Sequence, residues 1–482
     1  MSMPEQNLKT KAAKGFFWGG MSSGLQQVIC AVVGCFLLNR LTGDDYGLVG
    51  MLAIFTGIAN TIQEGGFKAA LINRKEFSAR DHNAVFWFTV MVSALLYILL
   101  FCLAGPIARF YGEPELVKLS RILFLSFFFN SLSISSNAVL TRRFLIKQKS
   151  MMELISVAAG GVAAILFVSA GYGYWALVAN TLVKSVVDAL LKLTLTPWKP
   201  DFNISFTPIQ EMFRFGFGLM LASIASQLQS NIFSVVVGKY HTKKEVGYYY
   251  QGTKWAAMAN QVFNGMVTSV SQPLLNSTAG DRGYQVAIFR KICRMMAFLA
   301  CPSMLGLAFI APEFFTILNP EFMPAVTILQ IYCLYQLAAC IEGICGQAAI
   351  AGGRSDIYLK FTVINAVLQI AAAFLTHRFG INIMAVSITG VAFLAVIIWY
   401  FMLRPVLDIK LIHLFNDFVP YFVLSLLVMV ATHFIVSPIH NTLILMLAKI
   451  AVAAALYILV MKVADAQMYK DAVKFIKERK LD

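Results

Sequence analysis

Charged side chains inside otherwise apolar stretches are the residues of this sequence best placed to do chemistry. Lys184 and Asp188 lie four residues apart in one such stretch, so a helix would bring them to one face. Lys254 lies in another stretch, and Arg290 and Arg294 share a face at the start of a third. A charge at the centre of a membrane helix costs about 2.5–3.5 kcal/mol. Such cations therefore suggest a ligand, and guanidinium groups match the oxygens of a phosphate.

Each of these residues has a structural interpretation as well. Lys184 and Asp188 could form an ion pair that only holds helices together, whereas a pair lining a cleft would bind an anion or a coupling ion. Lys254 could extend its methylene stem to the membrane surface. Arg290 and Arg294 could reflect only the excess of basic residues on the cytoplasmic side. The sequence leaves both interpretations open.

Acidic and amide side chains in similar stretches give further candidates. Glu342, beside Gly343, is the best isolated carboxylate for a proton or sodium site, and a hydrogen-bonded structural carboxyl fits it as well. Glu64 precedes Lys68 by four residues, a spacing typical of a structural pair. Lys449 has no evident partner and receives no role. The amides that suit either sugar hydroxyls or hydrogen bonds between helices are Gln227, Asn231, Asn260 and Asn264.

The elements that must position these residues are membrane helices. Of the 482 residues, 59% are hydrophobic and 13% are charged, which excludes a soluble domain because so few charges cannot cover a globular surface. The mean hydropathy is +0.72. A span needs about 20 apolar residues, and the sequence contains about 14 such runs, each too long for a strand of an outer-membrane barrel. The predicted fold class is therefore an all-α polytopic membrane protein.

The distribution of basic residues predicts how the chain lies in the membrane. The net charge is +15, with 39 Lys and Arg residues against 24 Asp and Glu residues. Most of the basic residues fall in the two tails and in the loops on one side of the spans, which is typical of the cytoplasmic side. We therefore predict cytoplasmic termini and no nucleic-acid binding. The first span follows Lys14 without a small-residue cleavage site, which indicates an uncleaved N-terminus.

A weak internal repeat predicts two lobes. Aligning Gly247 on Gly47 also superposes Thr242 on Thr42 and places an acidic residue three positions after each threonine. A hairpin repeated after an even number of spans implies two lobes of like orientation with a cleft between them. A segment rich in Pro and Trp after the sixth span is the clearest break in hydrophobicity. The predicted domains are a six-helix lobe at 1–195, a linker at 196–208, a second six-helix lobe at 209–404, and two further helices with a basic cytoplasmic tail at 405–482.

Enzyme motifs are missing from the places where they would be needed. No loop is long enough for a catalytic domain, and the sequence has no P-loop, no Gly-x-Ser-x-Gly and no His-Glu-x-x-His motif. The six histidines and eight cysteines do not have the spacing of metal ligands. We predict a protein that is not an enzyme and that needs neither a metal nor a cofactor.

Several local patterns of modest specificity follow one another along the chain. They are Thr141-Arg142-Arg143-Phe144, the turn from Gly171-Tyr172-Gly173-Tyr174-Trp175 to Val178, Val246-Gly247-Tyr248, the stretch from Ala311-Pro312-Glu313 to Pro324-Ala325-Val326, and Gly353-Arg354-Ser355-Asp356. In this order they resemble bacterial polysaccharide flippases of the multidrug/oligosaccharidyl-lipid/polysaccharide exporter superfamily, such as the O-antigen, colanic acid and teichuronic acid exporters. The similarity covers the first twelve spans and fades over the last two. Phe233 stands where the family often carries an Asp shortly after the Asn that matches Asn231.

The resemblance implies two six-helix bundles in a V-shaped arrangement and alternating access. In such a flippase an undecaprenyl-pyrophosphate-linked oligosaccharide moves from the inner to the outer leaflet of the bacterial cytoplasmic membrane, driven by H+ or Na+ antiport or by the membrane potential. The implied partners are the polyprenyl-linked oligosaccharide, membrane lipids and other membrane proteins of glycan assembly. A pyrophosphate with several sugars cannot cross hydrocarbon unless a polar cleft replaces its hydration. The pyrophosphate candidates are Lys184, Lys254, Arg290 and Arg294, and the ion-coupling candidates are Asp188, Glu342 and Glu64.

Three other functions stay open. A drug/cation antiporter of the same superfamily would want carboxylates in its cavity in place of lysines, and uptake of cationic dyes would separate it from a flippase. A polysaccharide polymerase or ligase needs a substantial periplasmic loop, and every predicted outer loop is short. A scaffold of a glycan-assembly complex that transports nothing also fits the sequence.

Overall fold

The apolar runs of the sequence form helices in the computed structural model. The structure describes residues 5–64, 79–143, 145–201, 207–277, 282–405, 407, 411–463 and 468–470. Within these ranges, the side chains at 5–21, 64, 79, 80, 142, 207, 208, 210–222, 230, 264–277, 282, 355 and 411 lie outside the description. The side chains of two candidate residues, Glu64 and Asn264, are therefore not described.

Helices account for most of the described chain. The first are α1 (Glu5–Arg40), α2 (Gly43–Met51), α3 (Ala53–Glu64), α4 (Ala79–Tyr111), α5 (Leu116–Leu123), α6 (Leu125–Arg142), α7 (Ile146–Ser169), α8 (Trp175–Leu195) and α9 (Thr207–Tyr240). They are followed by α10 (Lys243–Ser277), α11 (Arg282–Leu318), α12 (Pro324–Ala351), α13 (Ser355–Thr376), α14 (Ile381–Leu403), α15 (Leu411–Val436) and α16 (Thr442–Val463). Short 3-10 helices at Pro320–Phe322 and His377–Phe379 precede α12 and α14.

The predicted class, an all-α polytopic membrane protein, is confirmed. Among the described residues, 11 helical segments are long and apolar enough to cross a membrane. The predicted sixth span, α8, is not one of them, because it carries Lys184, Asp188 and Lys192. The count of about 14 spans stays a prediction.

The chain divides by its internal contacts into two compact units, Met1–Gly247 and Tyr248–Asp482. Unit 1 therefore includes α9, and the division falls later than the predicted linker at 196–208. In unit 1, α7 packs on α1 and α8, α6 packs on α4 and α8, and α9 packs on α3 and α4. Trp198, inside the predicted linker, is buried against Phe86 of α4. The first part of that segment thus belongs to the packing of unit 1, and its role as a linker stays a prediction.

The two turns of the predicted repeat have the same local structure. Thr42 and Asp45 form a capping box at the start of α2. At the start of α10, the backbone N–H of Thr242 donates to Glu245 Oε2 at 3.0 Å, and that of Glu245 donates to Thr242 Oγ1 at 3.3 Å. A capping box satisfies two of the N–H groups that a helix start leaves unpaired. Asp45 also accepts a 2.9 Å hydrogen bond from the backbone N–H of Tyr174, which attaches the α7–α8 turn to this cap.

Two glycines let the first turns of α2 and α10 meet at backbone contact. A Cβ on Gly47 would overlap the carbonyl of Lys243, and a Cβ on Gly247 would overlap the carbonyl of Gly43. The two contacts are reciprocal, because each glycine of the repeat lies against the first helical residue of the other turn. Positions 47 and 247 therefore both require glycine, the residue without a Cβ. We call this pair of contacts the glycine crossing.

Unit 2 is built around α11. This helix packs on α12, α15 and α16, while α14 packs on α12 and α13. Leu305 of α11, Met429 of α15 and Tyr457 of α16 are buried in one core. The Tyr457 hydroxyl donates to the carbonyl of Phe298 at 2.9 Å. The last two helices are therefore an integral part of the core of unit 2.

Candidate functional site

A group of charged side chains, the Lys192 cluster, lies inside unit 1 between the start of α7 and the end of α8. Lys192 Nζ is 2.9 Å from Asp188 Oδ2 and 3.7 Å from Glu153 Oε1, and the Lys192 side chain is only 3% exposed. Glu153 also lies 4.0 Å from Lys149 and accepts a 3.5 Å hydrogen bond from Gln26 of α1. The cluster therefore joins three helices and holds two acids and two bases.

The predicted pairing of Lys184 with Asp188 is wrong. Asp188 pairs with Lys192, one turn later, and Lys184 is exposed. An acid placed four residues before a base is the more favourable order on a helix, because it agrees with the helix dipole. The same spacing could have revealed Lys192 in the sequence. Asp188 keeps one buried oxygen, Oδ1, without a hydrogen-bond partner in the described part of the chain.

The amides of α9 bond within their own helix. Asn231 Nδ2 donates to the carbonyl of Gln227 at 3.0 Å and to its Oε1 at 3.1 Å. Gln227 packs on α3 at Gly57, where an added Cβ would come within 2.6 Å of Gln227 Oε1. Phe233 is buried. These contacts favour a packing role for Gln227 and Asn231, and their contact with sugars stays a prediction.

Lys254 and Asn260 lie one and a half turns apart on α10, in unit 2. Lys254 is half-buried, and its Nζ lies 5.4 Å from the ring centroid of Trp255, which is a cation–π distance. Asn260 donates to Gln336 Oε1 at 2.6 Å and accepts from Cys340 Sγ at 3.0 Å. Of the two predicted roles for Asn260, the structure favours the hydrogen bond between helices.

The two predicted phosphate-binding arginines share an acidic partner that the sequence pattern does not reveal. Arg290 Nε and Nη2 donate to Asp417 Oδ2 and Oδ1 at 2.7 and 3.0 Å, and Arg294 Nε lies 3.5 Å from Oδ1. The Asp417 side chain is 3% exposed, whereas those of Arg290 and Arg294 are 30% and 38% exposed. The group therefore consists of a buried carboxylate with two guanidiniums that reach the surface.

Lys449, which the sequence leaves without a role, has a buried partner. Its Nζ lies 2.7 Å from Glu313 Oε1 and 4.2 Å from the ring centroid of Phe309. Both charged side chains are largely buried. The pair joins α16 to the end of α11, opposite to the end at which Asp417 of α15 joins Arg290.

The predicted ion-coupling carboxylate of unit 2 faces amides. Glu342 Oε2 accepts a 3.1 Å hydrogen bond from Asn365 of α13, and Asn365 Oδ1 accepts one of 3.4 Å from Gln369. Asn365 and Gln369 are buried, and Glu342 is half-buried. The amide of Asn365 thus presents an N–H donor to the carboxylate, and its own oxygen accepts from Gln369. Among the described residues, no group of three or more His, Cys, Asp and Glu side chains could hold a metal ion.

Solved structures with a similar fold are transporters. The chain superposes on the lipid II flippase MurJ, in an inward closed conformation, with a TM-score of 0.74 over 92% of this chain and 98% of that one, at 15% identity. It superposes on an inward-facing multidrug resistance MATE family transporter of the MOP superfamily with a TM-score of 0.63 over 79% and 94%, at 16% identity. At these identities the likeness establishes a shared fold.

Three relatives are proteins of bacterial polysaccharide synthesis. The teichuronic acid biosynthesis protein TuaB of Bacillus subtilis is 24% identical over 348 residues, which are 71% of this chain and 72% of that one. The succinoglycan biosynthesis transport protein ExoT of Rhizobium meliloti is 24% identical over 336 residues, 69% and 67% of the two chains. The lipopolysaccharide biosynthesis protein WzxC of Escherichia coli is 22% identical over 373 residues, 76% and 75%.

The resemblance seen in the local patterns is confirmed by a match over a long continuous stretch. Residues 37–321, more than half of the chain, match the family described as polysaccharide biosynthesis protein. This protein belongs to that family.

Proposed function

We propose that this protein is a flippase that moves a polyprenyl-pyrophosphate-linked oligosaccharide from the inner to the outer leaflet of the bacterial cytoplasmic membrane. The observation that carries the proposal is membership of the family, together with alignment over two thirds or more of TuaB, ExoT and WzxC. On this proposal both termini are cytoplasmic, access alternates between the two faces, and the cargo crosses chemically unchanged.

The charged side chains of the membrane helices support the proposal physically. A pyrophosphate with several sugars must exchange its water for polar groups of the protein before it can cross. Lys254, Arg290 and Arg294 are partly exposed cations on long helices, so they can supply such groups to an anion. Lys184, which is exposed on α8, is the corresponding group of unit 1.

Glu342 is the better of the two described ion-coupling candidates. Its carboxylate bonds to an amide, so it can gain or lose a proton or a cation without breaking an ion pair. Asp188, in contrast, is held by a buried lysine at 2.9 Å. We therefore propose that H+ or Na+ coupling acts through Glu342, beside the hydrogen-bonded amides of Asn365 and Gln369.

The direct test is reconstitution of the full chain into liposomes with a defined undecaprenyl-pyrophosphate-linked saccharide. Leaflet-specific enzymatic labelling of the saccharide then measures transfer under imposed pH, sodium or voltage gradients. We expect transfer that depends on the protein and accelerates under at least one gradient. Transfer no faster than in protein-free liposomes under every gradient would remove the proposal, and transport of cationic dyes instead would identify a drug antiporter.

Four variants test the pyrophosphate contacts in the same assay. Lys184, Lys254, Arg290 and Arg294 are each replaced by Gln. The control is Arg378→Gln, which removes a positive charge from an exposed position in a 3-10 turn. Slower transfer is expected for the four variants and an unchanged rate for the control. Unchanged transfer for all four would exclude these contacts.

A further inference from the structure

Arg290 and Arg294 are organised by Asp417, a residue of the last pair of helices that no sequence motif singles out. The carboxylate binds Arg290 side-on through Nε and Nη2 and also attracts Arg294 through Nε. Both arginines are thus held at the edge that carries Nε. A guanidinium has five N–H donors, so the terminal edges keep donors that these contacts do not use.

The charges and the burial of the group favour an anion at those terminal edges. One carboxylate faces two guanidiniums, which leaves one positive charge in excess. The carboxylate is buried, while about a third of each arginine side chain is exposed. The fork of a guanidinium fits the oxygens of a phosphate in pairs, and fixing the fork beforehand reduces the ordering cost of binding.

Apolar side chains lie beside the arginines in the interior of unit 2. A small, largely enclosed pocket lies near the group, with lining residues from α11, α12 and α15. They are Cys293, Met296, Ile341, Ile344, Leu414 and Phe418. Cys293 lies between the two arginines in sequence, and Phe418 follows Asp417 directly. This pocket is too small for a lipid chain, so the choice of a lipid-linked phosphate rests on the proposed flippase function.

We propose that Asp417 is a positioning residue that presents Arg290 and Arg294 to the pyrophosphate of a polyprenyl carrier. This inference rests on the proposed flippase function and deepens it. It assigns α15, beyond the matched family region 37–321, a part in substrate recognition. The aspartate acts through the arginines and does not itself touch the substrate.

The test measures binding of undecaprenyl pyrophosphate to the purified full chain in lipid nanodiscs, with inorganic pyrophosphate and phosphatidylglycerol as competing probes. We expect Asp417→Asn to weaken binding about tenfold, the effect of losing about 1.4 kcal/mol. Asp417→Glu should restore most of the affinity, because it keeps the charge. The matched control is Asp356→Asn, since Asp356 binds Arg354 in the same side-on geometry at 2.9 and 3.0 Å but at the exposed first turn of α13. It should bind like the wild type.

Several results would overturn the inference. A folded Asp417→Asn variant that binds as tightly as the wild type would mean that the aspartate only attaches α15 to α11. A variant that binds more tightly would mean that the aspartate competes with the ligand for the arginines. Equal displacement by phosphatidylglycerol would assign the site to a membrane lipid. If Asp417→Asn fails to fold, binding is measured with Arg294→Gln instead. An unchanged dissociation constant for Arg294→Gln would exclude the proposed contact with pyrophosphate. A wild type that binds the carrier but transfers none would instead count against the flippase proposal.

Discussion

At the scale of single residues, Lys192 is the most constrained charge of unit 1. It is almost fully buried between Asp188 and Glu153. Removing one partner of a buried ion pair leaves the other partner unpaired in a low dielectric, which costs more than the pair itself contributes. Lys184, on the same helix, is exposed, so its replacement should leave the stability of the fold unchanged.

We expect Lys192→Met to lower the free energy of unfolding by about 2–4 kcal/mol, less than for a fully buried pair because the two acids are partly exposed. Lys184→Met is the matched control, with an expected change within about 0.5 kcal/mol. Thermal unfolding of the purified variants in detergent measures both. Equal stability of the two variants would contradict the importance of the cluster.

The sequence predicted which charged side chains need a partner, but for most of them it did not predict which residue the partner is. The cost of a buried charge marks Asp188, Arg290 and Lys449 as residues that need a partner. The partner of Asp188, Lys192, lies four residues later on the same helix, so this pair could have been predicted from the sequence. The partners of Arg290 and Lys449 lie 127 and 136 residues away, and pairing at that distance depends on which helices pack together.

At the scale of elements, the glycine crossing fixes how closely the first turns of α2 and α10 can approach. An added methyl group would collide with backbone atoms, which cannot rotate away as a side chain can. Overpacking of this kind forces the backbone to shift. The repeat in the sequence pointed to Gly47 and Gly247, but it could not show that each lies against the other turn.

We expect Gly47→Ala to lower the free energy of unfolding by about 1–3 kcal/mol because the two first turns must separate. Gly390→Ala is the control, since this glycine lies within α14 with no atom near the added Cβ. Alanine there should be neutral or gain up to about 1 kcal/mol from its higher helix propensity. Thermal unfolding and the yield of membrane-inserted protein measure the difference. A tolerated Gly47→Ala would show that the backbone contact is loose.

At the scale of the whole molecule, hydropathy predicted the helices well because the hydropathy of a helix depends only on residues that are adjacent in the sequence. The boundary between the units was harder to predict. The segment with Pro197 and Trp198 looks like a linker by composition, yet α9 beyond it packs on α3 and α4. Which unit a helix joins depends on contacts with distant residues, so composition alone could not place the division at Gly247.

A prediction at this scale concerns the ion gradient that drives transfer of the lipid-linked saccharide. Glu342→Gln keeps a hydrogen-bonding group beside Asn365 but cannot change its charge. We expect residual transfer of the lipid-linked saccharide that no longer accelerates under a pH or sodium gradient. Initial rates with and without each gradient measure this response. Asp356→Asn, at the exposed first turn of α13, should keep this response, and a full response in Glu342→Gln would exclude coupling through this carboxylate.

The two ion pairs on α11 also constrain the order in which the protein can mature. Arg290 and Glu313 leave the ribosome long before Asp417 and Lys449, which neutralise them in the finished fold. During synthesis, α11 must therefore enter the membrane with charges that nothing later in the nascent chain yet balances, an energetically unfavourable state. Unit 2 cannot reach its final packing until residue 449 has been translated.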